Sequence, residues 1–258
     1  MRLLTLHTIG YALLTLLLLL LLTACGTKGP VQSLYAEPPE APRNLQIQQQ
    51  GTSFLLSWQI PTQNQDGSPA EDIGGFQIYR ADYTAEDGCP TCREPQQRVA
   101  NINLKNPAAV QQVKRRFYWR DRQLVVGNGY AYRVVPLTTG GRTGAAALSH
   151  QVCLPPPATP AQLHAAAEPG QVVLTWQAAE RLPDGAKQVG YNLYRRPLDG
   201  SASLVPVNAE PLKESSLTDR ALEAGRPYVY RVSTLVRIDK LLVESPLSEP
   251  VQVTMTAE

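Results

Sequence analysis

Four residues of the sequence have side chains and spacings suited to holding a metal ion or forming disulfides. Cys89 and Cys92 are three positions apart, and His150 and Cys153 are separated by the same interval. Three thiolates and one imidazole are a common tetrahedral ligand set for zinc, and short spacings of this kind suit the metal. The simpler interpretation is a disulfide, either Cys89–Cys92 or one that joins Cys153 to Cys89 or Cys92.

Other catalytic chemistry finds little support in the sequence. Covalent haem attachment needs a histidine after the second cysteine, where Arg93 stands. No Ser-His-Asp arrangement, HExxH or glycine-rich phosphate loop is present, and His150 and His164 are the only histidines after the N-terminal hydrophobic segment. We therefore expect no catalytic residues and a protein that is not an enzyme.

The fourth cysteine, Cys25, follows a hydrophobic N-terminal segment. Arg2 precedes an apolar stretch from Leu3 to Leu22, and small residues stand directly before Cys25. This order is typical of a secretory signal, and it resembles the bacterial lipobox, in which the cysteine is acylated and becomes the new N-terminus. We expect 1–24 to be a lipoprotein signal peptide and Cys25 the acylated, palmitate-bearing anchor. An uncleaved membrane helix is the alternative, because about 20 apolar residues can span a bilayer.

The residues after Cys25 indicate where the lipoprotein resides. Gly26, rather than aspartate, follows the cysteine. By analogy with lipoprotein sorting in bacteria with two membranes, this favours the outer membrane. The segment 25–30, Cys-Gly-Thr-Lys-Gly-Pro, resembles the start of small lipoproteins associated with lipopolysaccharide export, which implies an envelope-assembly partner. We interpret 25–40 as the lipidated cysteine and its tether.

Composition points to β-structure in the remainder of the chain. About 230 residues follow the signal, enough for one large domain or two smaller ones. The 24 Lys and Arg nearly balance the 22 Asp and Glu, so we expect no nucleic-acid partner. Proline and glycine interrupt short β-branched and aromatic runs, as in a β-sandwich rather than a helical bundle.

The chain then contains one pattern twice. A strand with strict alternation ends at Trp58 in the first copy and at Trp176 in the second, so each strand should have one buried and one wet face. Further on, 121–134 matches 219–232, including the pair Tyr-x-Tyr. The first copy carries about 20 extra residues, mostly between Tyr79 and Asp121.

These residues resemble fibronectin type III domains in both copies. The resemblance implies an all-β protein with two tandem immunoglobulin-like sandwiches, at 41–154 and 159–258, joined by a proline-rich linker at 155–158. The prolines of that linker should limit the relative angles of the two domains.

The same resemblance assigns structural roles to the aromatic residues. Tyr130 and Tyr228 would form tyrosine corners, in which the phenol hydroxyl satisfies a backbone group. Tyr132 and Tyr230 would face Trp58 and Trp176 in the cores. We expect all six to be core residues, the tryptophans and second tyrosines included, rather than a ligand platform.

The resemblance also places the cysteines. With strand C ending at Tyr79, Cys89–Cys92 would lie on the loop between strands C and C′, at the same pole as the end of strand G. Cys89, Cys92, His150 and Cys153 would then converge into a structural Cys₃His zinc site, or a disulfide would pin the loop. A redox role would need a helix N-terminus beside Cys89, which a sandwich loop does not offer.

A basic segment, 114–120, coincides with strand E of the first copy. Alternation places Phe117 and Trp119 on the inner face and the flanking charges on a solvated face. The alternative is that these charges grip phosphate, lipid head groups or polysaccharide.

The resemblance implies binding rather than catalysis. We expect a lipid-anchored outer-membrane lipoprotein that acts as a scaffold for a protein partner, with the C–C′ insertion as the contact, because function concentrates on loops. The alternatives are a carbohydrate-associated accessory protein that binds a glycan and a module stabilised by zinc. No other cofactor is expected.

Overall fold

The computed structural model describes residues 37–86, 88–108 and 110–255. The predicted signal peptide, Cys25 and nearly all of the tether lie outside these residues. Across the residues that are described, no helix is long and apolar enough to cross a membrane.

Eight strands form a first sandwich of two sheets. One sheet has the order β1-β2-β6-β5 and the other β4-β3-β7-β8. A single hydrophobic cluster, centred on Trp58, fills the space between them. The strands are β1 (Arg43–Gln50), β2 (Ser53–Gln59), β3 (Ile73–Thr84), β4 (Gln97–Asn103), β5 (Gln111–Val113), β6 (Arg116–Asp121), β7 (Asn128–Thr138) and β8 (Ala147–Val152).

Seven further strands form a second sandwich. Strands β9, β10 and β12 make one sheet, and β11, β13, β14 and β15 belong to the other. Trp176 lies in a separate hydrophobic cluster that uses only residues of this half. The strands are β9 (Ala161–Glu168), β10 (Gln171–Gln177), β11 (Lys187–Pro197), β12 (Ser216–Asp219), β13 (Pro227–Ile238), β14 (Leu241–Glu244) and β15 (Val251–Thr254).

The predicted fold class is confirmed: the described chain is all-β and forms two tandem fibronectin type III-like sandwiches. The two separate cores lie on either side of the proline-rich segment 155–158, while the domain boundaries themselves remain a prediction.

The alternating strands bury their predicted faces. Trp58 in β2 and Trp176 in β10 are both buried, as are the apolar residues two and four positions before each of them. The expected wet face of β2 is wrong, however, because Leu55 and Ser57 are also buried. Arg116 of β6 lies across this outer face and donates from Nη1 to Ser57 Oγ at 2.7 Å.

One sheet runs through both sandwiches. Strand β14 pairs in parallel with β1, with Gln50 opposite Glu244, so the strand order is β11-β13-β14-β1-β2-β6-β5. The start of the linker is held against the first sandwich, because Gln49 Oε1 accepts from Leu154 N at 2.9 Å and Gln49 Nε2 donates to Leu154 O at 2.5 Å. The predicted restriction between the halves therefore comes from strand pairing in addition to the prolines.

Candidate functional site

The loop that carries Cys89 and Cys92 follows a strand longer than expected. Strand C was expected to end at Tyr79, but β3 continues to Thr84 because its last residues pair with β7 as far as Asn128. The loop then leads to β4, which pairs with β3 and is the predicted C′ strand. Cys89 and Cys92 form a disulfide, with Cα atoms 5.3 Å apart.

Arg133 of β7 holds the end of this loop against the sheet. Its Nε donates to Pro95 O at 3.1 Å, and its Nη1 lies 3.1 Å from Glu94 Oε1. Its guanidinium also sits 4.3 Å from the centroid of the Tyr79 ring. The disulfide thus closes the loop on itself between Cys89 and Cys92. Arg133 holds the end of the loop against the sheet by a hydrogen bond and an ion pair.

A groove of about 420 Å³ separates the loop from strands β7 and β8. Pro90 and Arg93 line the loop side, and Leu148 and His150 line the strand side. Leu148 is 65% exposed although it is a large apolar residue. Strand β8 is also the last strand of its sheet. A terminal strand has unpaired backbone groups, to which an extended segment can add by hydrogen bonding.

The four residues of the expected zinc site are not brought together. His150 lines the groove beside the loop, as expected for elements at one pole, but Cys153 is fully buried in the hydrophobic cluster of Trp58. Burial raises the pKa of the Cys153 thiol. Cys89 and Cys92 are bonded to each other, so neither offers a thiolate. Within the described part of the chain, no group of three or more His, Cys, Asp or Glu could hold a metal ion.

Both tyrosines assigned to tyrosine corners make the hydrogen bond of that motif. Val125 N donates to Tyr130 Oη at 2.7 Å, and Glu223 N donates to Tyr228 Oη at 3.2 Å. Each phenol therefore satisfies a backbone amide five residues before it, while both rings are buried. These tyrosines are structural.

The second tyrosine of each pair lies in the same hydrophobic cluster as the tryptophan, as expected. Tyr132 shares a cluster with Trp58, and Tyr230 shares one with Trp176. Other rings also pack against the two tryptophans, namely those of Phe76, Phe117 and Tyr191.

Tyr132 and Tyr230 each donate a hydrogen bond to a buried aspartate that is also paired with an arginine. These clusters were not predicted from the sequence. Asp121 Oδ2 accepts from both Arg80 Nη1 and Tyr132 Oη at 2.9 Å. The second sandwich repeats this arrangement with Asp219, which accepts from Arg195 Nη1 at 2.6 Å and Tyr230 Oη at 2.9 Å. The signal was in the sequence, since both copies place an arginine and an aspartate at matching positions.

Burial and the nearby aspartate shift the pKa values of the arginine and the tyrosines in these clusters. Burial would lower the pKa of Arg80, but the hydrogen bond and charge of Asp121 raise it above its usual value. Burial and Asp121 together raise the pKa of Tyr132, and burial and Asp219 raise that of Tyr230. Both phenols are therefore neutral hydrogen-bond donors to the aspartates.

A third buried carboxylate, that of Glu244, lies where the two sandwiches join. Glu244 is 1% exposed, and its Oε1 accepts from Tyr194 Oη at 2.7 Å and Gln50 Nε2 at 3.1 Å. Ser233 Oγ donates to the same oxygen, and Gln48 Nε2 donates to Oε2 at 3.1 Å. Burial raises the pKa of Glu244, and the hydrogen bonds from Ser233 and Tyr194 oppose that rise. The cluster joins side chains of both sandwiches.

The basic segment behaves partly as expected. Phe117 and Trp119 are buried in the first core, which confirms the alternation of β6. The expected solvated face is wrong for Arg120, whose Nη1 donates to Ser53 Oγ at 2.9 Å in a partly buried position. Burial lowers the pKa of Arg120.

Among solved structures, the chain is similar to two distant proteins described as fibronectin-type. No protein-family model matches the sequence, and no curated protein matches it significantly. The FN1-FN3 domains of chicken CNTN1 are 13% identical with a TM-score of 0.31, covering 86% of this chain and 68% of that one. A Fn3-like protein from Clostridium thermocellum is 26% identical with a TM-score of 0.30, covering 38% of this chain and 93% of that one.

Proposed function

We propose that this chain is a non-catalytic, lipid-anchored scaffold of the bacterial outer membrane that presents its two sandwiches to a protein partner. Cys25 provides the anchor, and 25–40 forms the tether. The partner surface consists of the Cys89–Cys92 loop and strand β8, on either side of the groove lined by Leu148.

The clamped loop is the observation that carries this proposal. The loop belongs to the extra material of the first copy, yet a disulfide and Arg133 hold it in a defined position. A loop without a function does not need two constraints, whereas a binding loop benefits because less conformational entropy is lost when the partner binds.

The chemistry of the surface favours a protein over a neutral glycan. Apolar side chains, Pro90 and Leu148, lie beside the polar side chains of Thr91 and Ser149. Exposed aromatic rings, the usual platform for sugars, are missing from the described lining, where the Tyr132 ring is buried. A terminal strand such as β8 also offers backbone groups to an extended segment.

Photo-crosslinking in the source cell tests the surface. A photoreactive residue at Leu148 should give one defined adduct with an envelope protein. The matched control is Leu198 in the second sandwich, which is 43% exposed against 65% for Leu148. Leu148→Asp should abolish capture of that protein, whereas Leu198→Asp should not. Equal adducts from both positions, or binding of a glycan array that ignores Leu148→Asp, would contradict the proposal.

The anchor has its own test. Cys25→Ala should prevent incorporation of labelled palmitate and move the protein out of the outer-membrane fraction. The matched control is Cys153→Ala, which leaves the predicted acylation site intact. Palmitate labelling that survives Cys25→Ala would overturn the lipoprotein assignment while leaving the binding surface untouched.

A further inference from the structure

A groove of about 900 Å³ lies between the two sandwiches, and Arg120 is one of the residues that line it. The first sandwich contributes Arg120, Arg122, Asn106–Ala108, Val110 and Gln111, and the second contributes Arg195–Pro197 and 201–204. The main-chain N of Leu204 donates to Gln111 Oε1 at 2.6 Å, which holds the loop after β11 against β5. The groove is therefore a built feature of the junction.

The described lining is strongly basic. It contains four arginines and neither aspartate nor glutamate. This local charge is hidden in the near-neutral balance of the whole chain. A concave surface with charge of one sign concentrates counter-ions of the other sign.

Three of the four arginines lack a carboxylate partner among the described residues. Arg195 is paired with Asp219. Arg196 uses Nη1 for three neutral carbonyls of 197–200, and Arg120 reaches the hydroxyl of Ser53. Arg122 is exposed, and no hydrogen bond or ion pair is found for it within the described chain.

Repulsion between neighbouring guanidinium groups adds to this imbalance. Burial lowers the pKa of Arg120, and the positive charge of Arg122 lowers it further, against the influence of Tyr194 and Glu244. An anion placed between the two guanidinium groups would remove this unfavourable interaction.

We propose that this groove binds a phosphate group, carried either by a small molecule or by a lipid headgroup. Arg120, Arg122 and Arg196 all line the groove, and a tetrahedral dianion offers enough oxygens and charge to accept from several guanidinium groups at once. A single carboxylate has two oxygens and one charge. Aromatic rings are absent from the described lining, which disfavours an uncharged sugar.

Titration calorimetry on the full chain in a nonionic detergent tests this inference, with inorganic pyrophosphate as the probe. We expect saturable binding that weakens as salt is added. Arg122→Ala should weaken it about tenfold, because a charge-assisted hydrogen-bonding partner is lost without disturbing the fold. Arg196→Ala should have a similar effect. The matched control is Arg115→Ala, an exposed arginine outside the groove, which should leave affinity unchanged.

The two sources of phosphate are separated by mixed micelles. Tighter binding to phosphatidic acid micelles than to pyrophosphate identifies a lipid headgroup, and the reverse identifies a small molecule. The absence of saturable binding to both would overturn the proposal, as would equal loss with Arg115→Ala. Tighter binding of a glutamate-rich peptide than of pyrophosphate would also overturn it and indicate an acidic protein segment.

Discussion

At the scale of single residues, each sandwich uses a buried aspartate to connect its two sheets. Asp121 on β6 binds Arg80 and Tyr132 from the opposite sheet. Removing one member of such a group leaves the others charged or polar in a place without water, and that cost exceeds the net gain of the intact pair. These clusters therefore make the packing of the two sheets specific to one arrangement.

Replacing the first aspartate should be more harmful than replacing the second. We expect Asp121→Ala to lower the free energy of unfolding by about 3–5 kcal/mol, as when one partner of a buried ion pair is lost. Asp219→Ala should cost less, because the Arg195 side chain is 23% exposed against 8% for Arg80. Urea unfolding measures both. Asp199→Ala, at an exposed ion pair, is the control and should change little; an equal loss there would refute the role of burial.

The buried phenols predict an alkaline limit to stability. Burial raises the pKa of Tyr132, Tyr194 and Tyr230 above that of an unfolded tyrosine, about 10. Their stabilising contribution is therefore complete below about pH 10 and is lost as the pH rises further. In a titration followed at 295 nm, these tyrosines should ionise together with the loss of near-ultraviolet circular dichroism. Smooth titration of every tyrosine while the fold persists would contradict this expectation.

At the scale of the elements, the short parallel pairing of β14 with β1 connects the halves. Two residue pairs carry it, and Gly51 N donates to Glu244 O at 2.8 Å beside them. Such a short pairing needs side-chain support, which the buried carboxylate of Glu244 supplies by accepting from donors on both sides. The junction is thus stabilised by hydrogen bonds more than by apolar contact.

Two substitutions of Glu244 should share one pH dependence and differ in the size of their effect. The pKa of Glu244 is raised by burial, so the stability due to the protonated form is complete below about pH 4.3 and falls as the pH rises through the folded-state pKa. Glu244→Gln has no ionisable group, so its stability relative to the native chain should increase from pH 4 to pH 8. Glu244→Ala should show the same increase, but it leaves buried donors unpaired and should be about 3 kcal/mol less stable than Glu244→Gln at every pH. Thermal unfolding of the native chain and both variants from pH 4 to pH 8 tests this. If the stability of Glu244→Gln and that of the native chain changed with pH in parallel, the expectation would be contradicted.

At the scale of the whole molecule, the continuous sheet connects the two sandwiches. The β1–β14 pairing and the Leu204–Gln111 contact act at separate points of the junction. Fixing the halves in this way keeps the arginines of both in one groove. The proposed partner loop lies on the first sandwich alone and does not need the junction.

Spin labels can test this rigidity. Labels at exposed Asn101 and His164, one in each sandwich, should give a single narrow distance distribution in pulsed electron resonance. Combining Gln49→Ala with Glu244→Ala should broaden it, because the linker and the β1–β14 pairing both lose hydrogen bonds. A broad distribution in the native chain would contradict the fixed junction.

Alternation in the sequence indicated the inward faces of β6, because alternation acts within one strand. The two sandwiches and the tyrosine corners were implied by the resemblance of the repeated pattern to fibronectin type III domains. The sequence also limited the possible cysteine pairings. The choice of Cys89–Cys92 became clear only from the structure, in which Cys153 lies in the core.

The tertiary structure alone decided the junction and the arginine groove. Gln50 and Glu244 are 194 residues apart in the chain, and Leu204 and Gln111 are 93 apart. No local pattern marks such pairs, because each residue is an ordinary polar side chain in its own strand or loop. Whether it is solvated, or buried against a distant partner, depends on which sheet edges meet when the whole chain folds.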